Sequence, residues 1–325
     1  LAIDALFRNS KGSTVSSNFD LVAPLFLYHL SEKKDDSIGN QSTGDKELLV
    51  TKEDPTEGYL LRISLMSLLQ VILSDTSFSE RSTVPYENAA LASSSTQFTF
   101  DVTLSMVLPN LVWKSGGLAA ALRKLSAATL FNLLSRHCNY LENIEHEMYK
   151  FILPILHSNL DDTESSTREL SCASLSLILK EMPTKTFQEL WDQDTPVIDT
   201  IHTRLLDLLD DCHDSVRLAT CATIERYLIL LFASQDNSNC LNCTWISVVE
   251  DIAKRLVLAL DDPDTHIQTR SLEVLTSYLS LLQPNRDIKL IAIIEQFALK
   301  GQRSHRDRKH CEIIQRLCSQ KSAVS

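Results

Sequence analysis

Three stretches of this chain are variants of one phrase. They are Leu-Asp-Asp-Thr-Glu-Ser-Ser-Thr-Arg at 160–168, Leu-Asp-Asp-Cys-His-Asp-Ser-Val-Arg at 209–217 and Leu-Asp-Asp-Pro-Asp-Thr-His-Ile-Gln at 260–268. A weaker copy puts Leu111 of Leu-Val-Trp-Lys in the same role, so the spacings are 49, 49 and 51 residues. Before the aspartates runs an apolar pattern of helical period, as in Ile198, Ile201, Leu205, Leu208 and Leu209. After them comes a second one, as in Val216, Ala219, Ala222, Ile224, Leu228 and Leu231. Each unit therefore reads as helix, polar turn, helix.

The period sits just above the roughly 40–47 residues of HEAT and armadillo units. The expected fold is all-α, a HEAT/armadillo-type α-solenoid of about five to six helix pairs. Composition agrees. Only 7 of 325 residues are glycine, too few for the φ > 0 turns of a large β or doubly wound α/β protein. The 44% apolar content excludes wholesale disorder. We read 1–325 as one solenoid fragment in three stretches. Residues 1–95 hold a divergent pair (Leu21–Leu30 and Tyr59–Leu73) with long polar loops at Ser31–Glu57 and Asp75–Thr96. Clear repeats fill 96–285. A basic capping pair, Ile288–Ala298 and Arg308–Cys318, closes 286–325. The start at Leu1 without methionine is expected of a piece of a longer protein.

The aspartates have local work to do. Asp214 is expected to cap its second helix, and Asp262 to cap the next with Pro263 at the first helical position. Ala173 and Ala222 are expected where second helices approach closely. An arginine follows the first aspartate by seven residues in two copies, Arg168 and Arg217; the third has Gln268, then Arg270. A structural Asp–Arg ladder between stacked units is expected, at the roughly 0–1 kcal/mol of half-exposed pairs.

No enzyme, cofactor or metal site is expected. Cys240 and Cys243 have the spacing of half a zinc site, but no second pair accompanies them. His305-Arg306-Asp307 matches a kinase triplet by letters alone. The paired carboxylates recur with the repeat, whereas catalysis needs one constellation. The eight cysteines fall mostly in apolar helical patterns, which points to a reducing, intracellular setting and makes the sequons at Asn40 and Asn242 chance matches. No stretch of about 18 uncharged apolar residues offers a membrane span. The net charge of −11 excludes bulk attraction to nucleic acid or anionic membrane. Residues 301–325 carry six basic and two acidic groups, +4, which leaves −15 elsewhere.

Two local features are candidate partner sites. One is the basic cluster Arg303, Arg306, Arg308 and Lys309, a solvated cap or a dock for an acidic segment. The other is Trp113-Lys114 before Gly116-Gly117, a tight turn whose tryptophan is expected in the core; exposed, it would be a binding hot spot.

Leu-Val-Trp-Lys-Ser-Gly-Gly through Ala-Ala-Ala-Leu-Arg-Lys (111–124), Leu-Asp-Asp-Pro-Asp-Thr-His-Ile-Gln through Leu-Glu-Val-Leu (260–275) and the ending from His305 to Leu317 carry a resemblance. Across roughly 105–320 the chain resembles the C-terminal part of the dynein axonemal assembly factor 5 family of HEAT-repeat proteins. The resemblance implies a cytoplasmic factor for preassembly of axonemal dynein arms. It would bind dynein subunits (intermediate or heavy chains) alongside chaperone machinery. The competing readings are an importin-type adaptor for basic cargo and a tubulin-binding module. The acidic turns Asp161, Asp210 and Asp261 speak against the latter, because tubulin is itself acidic.

Overall fold

The computed structural model describes residues 19–31, 55–74, 103–136, 146–192, 196–235, 243–283, 287–305 and 308–323. The loops expected at 31–57 and 75–96 lie almost wholly outside them, as do Cys240 and Arg306. Among the described residues every regular element is a helix. They fall into two compact units, Leu1–Tyr140 and Leu141–Ser325.

In the first unit, α1 (Phe19–Leu30) and α2 (Pro55–Ser74) form the expected pair. Helix α2 starts four residues earlier than Tyr59. Its buried face, Leu65, Met66, Leu69, Ile72 and Leu73, also packs on α3 (Gly117–Arg136). By length and composition the stretch Thr56–Leu73 of α2 could cross a membrane, at mean hydropathy 1.2. It carries Glu57 and Arg62, and one side is committed to protein packing. A short helical stretch, 103–107, continues as a 3-10 turn at Leu108–Asn110. The buried Asn110 amide donates to the carbonyls of Leu30 (2.9 Å) and Met106 (2.8 Å), which ties the end of α1 to this turn.

Among the described residues the second unit holds four helix pairs: α4 (His146–Asn159) with α5 (Ser165–Glu181); α7 (Pro196–Leu208) with α8 (Asp214–Gln235); α9 (Cys243–Ala259) with α10 (Thr265–Leu281); α11 (Ile288–Ser304) with α12 (Lys309–Ser322). First helices stack on first helices and second on second, the defining packing of a solenoid. Leu160, Leu209 and Leu260 each sit one residue past the end of a first helix, at most 4% exposed. Truncating such a leucine to alanine costs about 2–5 kcal/mol.

Four details differ from the sequence reading. A nine-residue helix, α6 (Thr184–Asp192), stands between α5 and α7. It buries Phe187 and Leu190, and Phe187 meets Tyr227 edge-on at 5.9 Å. Asp214 pairs with Arg217 instead of serving as the cap; the carboxylate that holds the turn is Asp211, which accepts from the His213 N–H at 2.9 Å. In the third copy the cap is Asp264, which accepts from the His266 N–H at 2.6 Å, and Pro263 lies in the turn before the helix. The close helix approach is lined by Ser, Cys and Thr. Cys172 Sγ lies 3.2 Å from Thr223 Oγ1, and that hydroxyl donates to the Cys172 carbonyl at 2.9 Å, while Ala173 and Ala222 stay half-exposed.

Candidate functional site

The aspartate pairs divide their labour. The second carboxylate of each pair accepts from the backbone N–H two residues on: Asp162 from Glu164, Asp211 from His213, Asp262 from Asp264. Asp211 and Asp262 also receive the arginine of the preceding unit. Arg168 forks onto Asp211, Nε to Oδ2 at 2.7 Å and Nη2 to Oδ1 at 3.0 Å. Arg217 donates to Asp262 Oδ1 at 3.0 Å; its Nε lies 2.9 Å from Oδ2, although that N–H is not aimed at it. Each side chain at this position also reaches back to its own turn: Arg168 to the Asp162 carbonyl, Arg217 to that of Asp211, Gln268 to that of Asp262, at 2.6–2.7 Å. The ladder is thus present, but it is not half-exposed. Arg168 and Asp211 are 13% and 7% exposed, Arg217 and Asp262 10% and 9%.

A second ladder runs through the first aspartates. Arg204 of α7 lies 3.4 Å from Asp161, and Arg255 of α9 2.6 Å from Asp210. These pairs are exposed and contribute little each. Arg270, two residues after Gln268, turns instead to Glu225 (2.5 Å) and Glu273 (2.8 Å). The recurring carboxylates are therefore part of the scaffold.

Asp211, Cys212 and His213 bring three metal-ligand atoms within 4.8 Å of one another. Both Asp211 oxygens are already held by Arg168, and Cys212 Sγ meets His213 Nδ1 at a hydrogen-bond distance of 3.0 Å. A metal there would have to take Asp211 out of the ladder.

Trp113 is not in the core. It is 57% exposed, beside Val112 at 42%. The turn is as tight as the glycines implied: Gly116 takes φ +107°, a region where a side chain is strained, and Gly117 opens α3. Arg123, buried at 3% exposure, places its guanidinium 5.9 Å from the centre of the indole and donates to the Lys114 carbonyl at 2.6 Å. Lys114 itself is half-exposed.

Of the C-terminal cluster, Arg303 ends α11 and Arg308 and Lys309 open α12, all exposed; Arg306 lies outside the described residues. The hairpin beneath them is tight. Gly301 has no room for a side chain, since a Cβ there would stand 2.7 Å from Cys311 Sγ and 3.0 Å from His305. Lys321 is not part of the exposed cluster: its ammonium donates to the Leu282 carbonyl at 2.6 Å, against the C-terminal end of α10. The structure does not bring Trp113 and the basic cluster into one unit of the fold.

No family model matches the chain. It is 27% identical over 224 residues to dynein axonemal assembly factor 5 of Homo sapiens, covering 68% of this chain and 23% of that protein. The same protein of Mus musculus is 27% identical over 176 residues, 54% of this chain and 19% of its own length. The chain thus spans about a fifth of the length of the curated relatives it matches. Among solved structures, an engineered protein is similar at TM-score 0.49 and 16% identity, over 84% of this chain and 94% of its own. A designed armadillo repeat protein is similar at TM-score 0.46 and 16% identity, over 75% and 98%. The chain is an α-solenoid with a distant HEAT/armadillo-repeat relationship to dynein axonemal assembly factor 5.

Proposed function

We propose that this chain is a protein-holding scaffold in the preassembly of axonemal dynein arms, acting in the cytoplasm on dynein intermediate or heavy chains together with chaperone machinery. The observation that supports the scaffold reading most is Trp113. A large aromatic ring is held out to solvent by a buried arginine, in a protein that spends its charged groups on rigidity. Interface hot spots are enriched in Trp and Arg. The dynein part of the reading rests on the match to dynein axonemal assembly factor 5. The exposed residues Trp113, Arg303, Arg308 and Lys309 and the half-exposed Lys114, with Arg306 in the same sequence cluster, are the surfaces we assign to partners.

An importin-type adaptor for basic cargo has one observation in its favour. A recess of ≈ 250 Å3 between successive repeats is lined by Asp161, Asp162, Asp207 and Asp211, against Arg168 and Arg204. Affinity capture from ciliated-cell cytosol, read by mass spectrometry, separates the two. Dynein chains in the captured set support the proposal; importin cargo or tubulin without dynein chains overturns it.

A further inference from the structure

The turn that carries Trp113 differs in charge from its counterparts. At the phrase positions where the later repeats place Asp-Asp, this one places Val112 and Trp113 followed by Lys114. The ring has a buried neighbour on one side. Arg123 is buried, stacks on the indole within cation–π range, and is pinned by the Lys114 carbonyl. An aromatic anchor fixed before binding loses less entropy on binding.

Three described residues of this unit near the turn in sequence or space are basic. Arg62 and Lys114, with Tyr59, Pro109 and Val112, line a shallow recess of ≈ 10 Å3 at the foot of the turn. That is about the room of one water molecule, too small for a ligand molecule. Lys124 is exposed two turns along α3. The whole chain is at −11, so a polyanion meets general repulsion and local attraction here, which fixes where it lands.

We infer that the turn Val112–Lys114, with Arg62 and Lys124, is a docking site for an acidic protein segment that carries an aromatic or apolar anchor among aspartates or glutamates. This rests on reading the chain as an interaction scaffold, and it names the partner's chemistry. The anchor packs on Val112 and the open part of the Trp113 ring. Its flanking carboxylates meet Lys114, Arg62 and Lys124.

The test uses the 325-residue chain and labelled synthetic copolymers as probes: Glu–Tyr, poly-Glu and Lys–Tyr, followed by fluorescence anisotropy. Because no dynein is present, failure here is distinct from failure of the dynein-assembly reading. The Glu–Tyr copolymer should bind, poly-Glu at least tenfold more weakly, and Lys–Tyr more weakly still. Trp113→Ala should weaken Glu–Tyr binding tenfold or more, with Trp113→Phe retaining most of it. Lys114→Glu with Lys124→Glu should weaken it comparably and flatten its salt dependence. Val112→Ser is a second probe of the apolar contact, and circular dichroism verifies that each variant is folded. Equal binding by poly-Glu, tighter binding by Lys–Tyr, or Glu–Tyr affinity unchanged in folded Trp113→Ala and Val112→Ser would overturn the proposal. So would loss of binding only on reversal of Arg303, Arg308 and Lys309.

Discussion

Arg168 and Asp211, 43 residues apart, share two parallel hydrogen bonds of 2.7 and 3.0 Å from one repeat to the next. The same carboxylate holds its own turn through the His213 N–H. One side chain thus shapes a turn and joins two repeats. Burial by itself would raise the pKa of Asp211. The hydrogen bonds from Arg168 and His213 outweigh it and hold the group below the ordinary value of 3.8. A depressed folded-state pKa gives stability that is complete above the unfolded pKa and lost as pH falls through the folded one. Asp211→Asn should therefore be clearly less stable than wild type at pH 7. The difference should persist down to pH 5 and shrink only below about pH 4. Thermal melts of both proteins between pH 7 and pH 3 would show it; a gap independent of pH would contradict it.

The cysteines should separate by reactivity. Burial pushes the Cys172 thiol up to about 11 and the Cys318 thiol up to about 12, and raises Cys221 as well. The thiolate is the nucleophile, so these three should resist alkylation in the folded protein at pH 8. Cys212 is exposed and should label before these three. Peptide mapping after brief iodoacetamide treatment, native and denatured, gives the order. Native labelling of Cys172 at the rate of Cys212 would mean that the α5–α8 contact opens readily.

Gly301→Ala should destabilise the α11–α12 hairpin by about 1–3 kcal/mol, the usual range for overpacking. The added Cβ meets the Cys311 sulfur at 2.7 Å. Removing that sulfur as well, in Gly301→Ala with Cys311→Ala, should recover part of the loss. Urea unfolding of Gly301→Ala, Cys311→Ala and the double variant measures this, and a double variant no better than the sum of the two singles would show that the clash lies elsewhere.

Reversing Arg303, Arg306, Arg308 and Lys309 to glutamate tests the C-terminal cluster as a second contact for dynein subunits. Exposed charges are screened as the Debye length falls from about 10 Å at 0.1 M salt to about 3 Å at 1 M. Wild-type binding should weaken over that range, and the reversed variant should bind weakly throughout with helical content intact. Unchanged binding would make the cluster a solvated cap.

Much of the fold was legible because its signal is local. The Leu-Asp-Asp period and the helical apolar spacing are properties of single repeats, and they located the turns. Burial of Arg217 was not legible, because it depends on how units some 45 residues apart stack. The expected contribution of roughly 0–1 kcal/mol was tied to half-exposure, which this pair does not have. The Arg204 and Arg255 ladder did leave a trace: both arginines precede the repeat leucine by five residues. Helix α6 was missed because nine residues between two longer helices leave little room for a period. The exposure of Trp113 has no sequence signal at all. A lone tryptophan in a glycine turn carries no periodicity, and the buried Arg123 that props it up is ten residues away on a helix.

The central claim is that the periodic aspartates and arginines join the repeats, leaving recognition to the exceptions. A double-mutant cycle on Arg217 and Asp262 tests it most directly, with Arg217→Met, Asp262→Asn and both together in chemical denaturation. Breaking a buried pair from one side should cost about 3 kcal/mol. The double variant should be more stable than the sum of the losses implies, with a coupling of about 2 kcal/mol, inside the range found for contacting residues. Partner capture should be unchanged in all three. Coupling below about 0.5 kcal/mol, together with lost capture in a folded Arg217→Met, would contradict the account and make the ladder itself the binding surface.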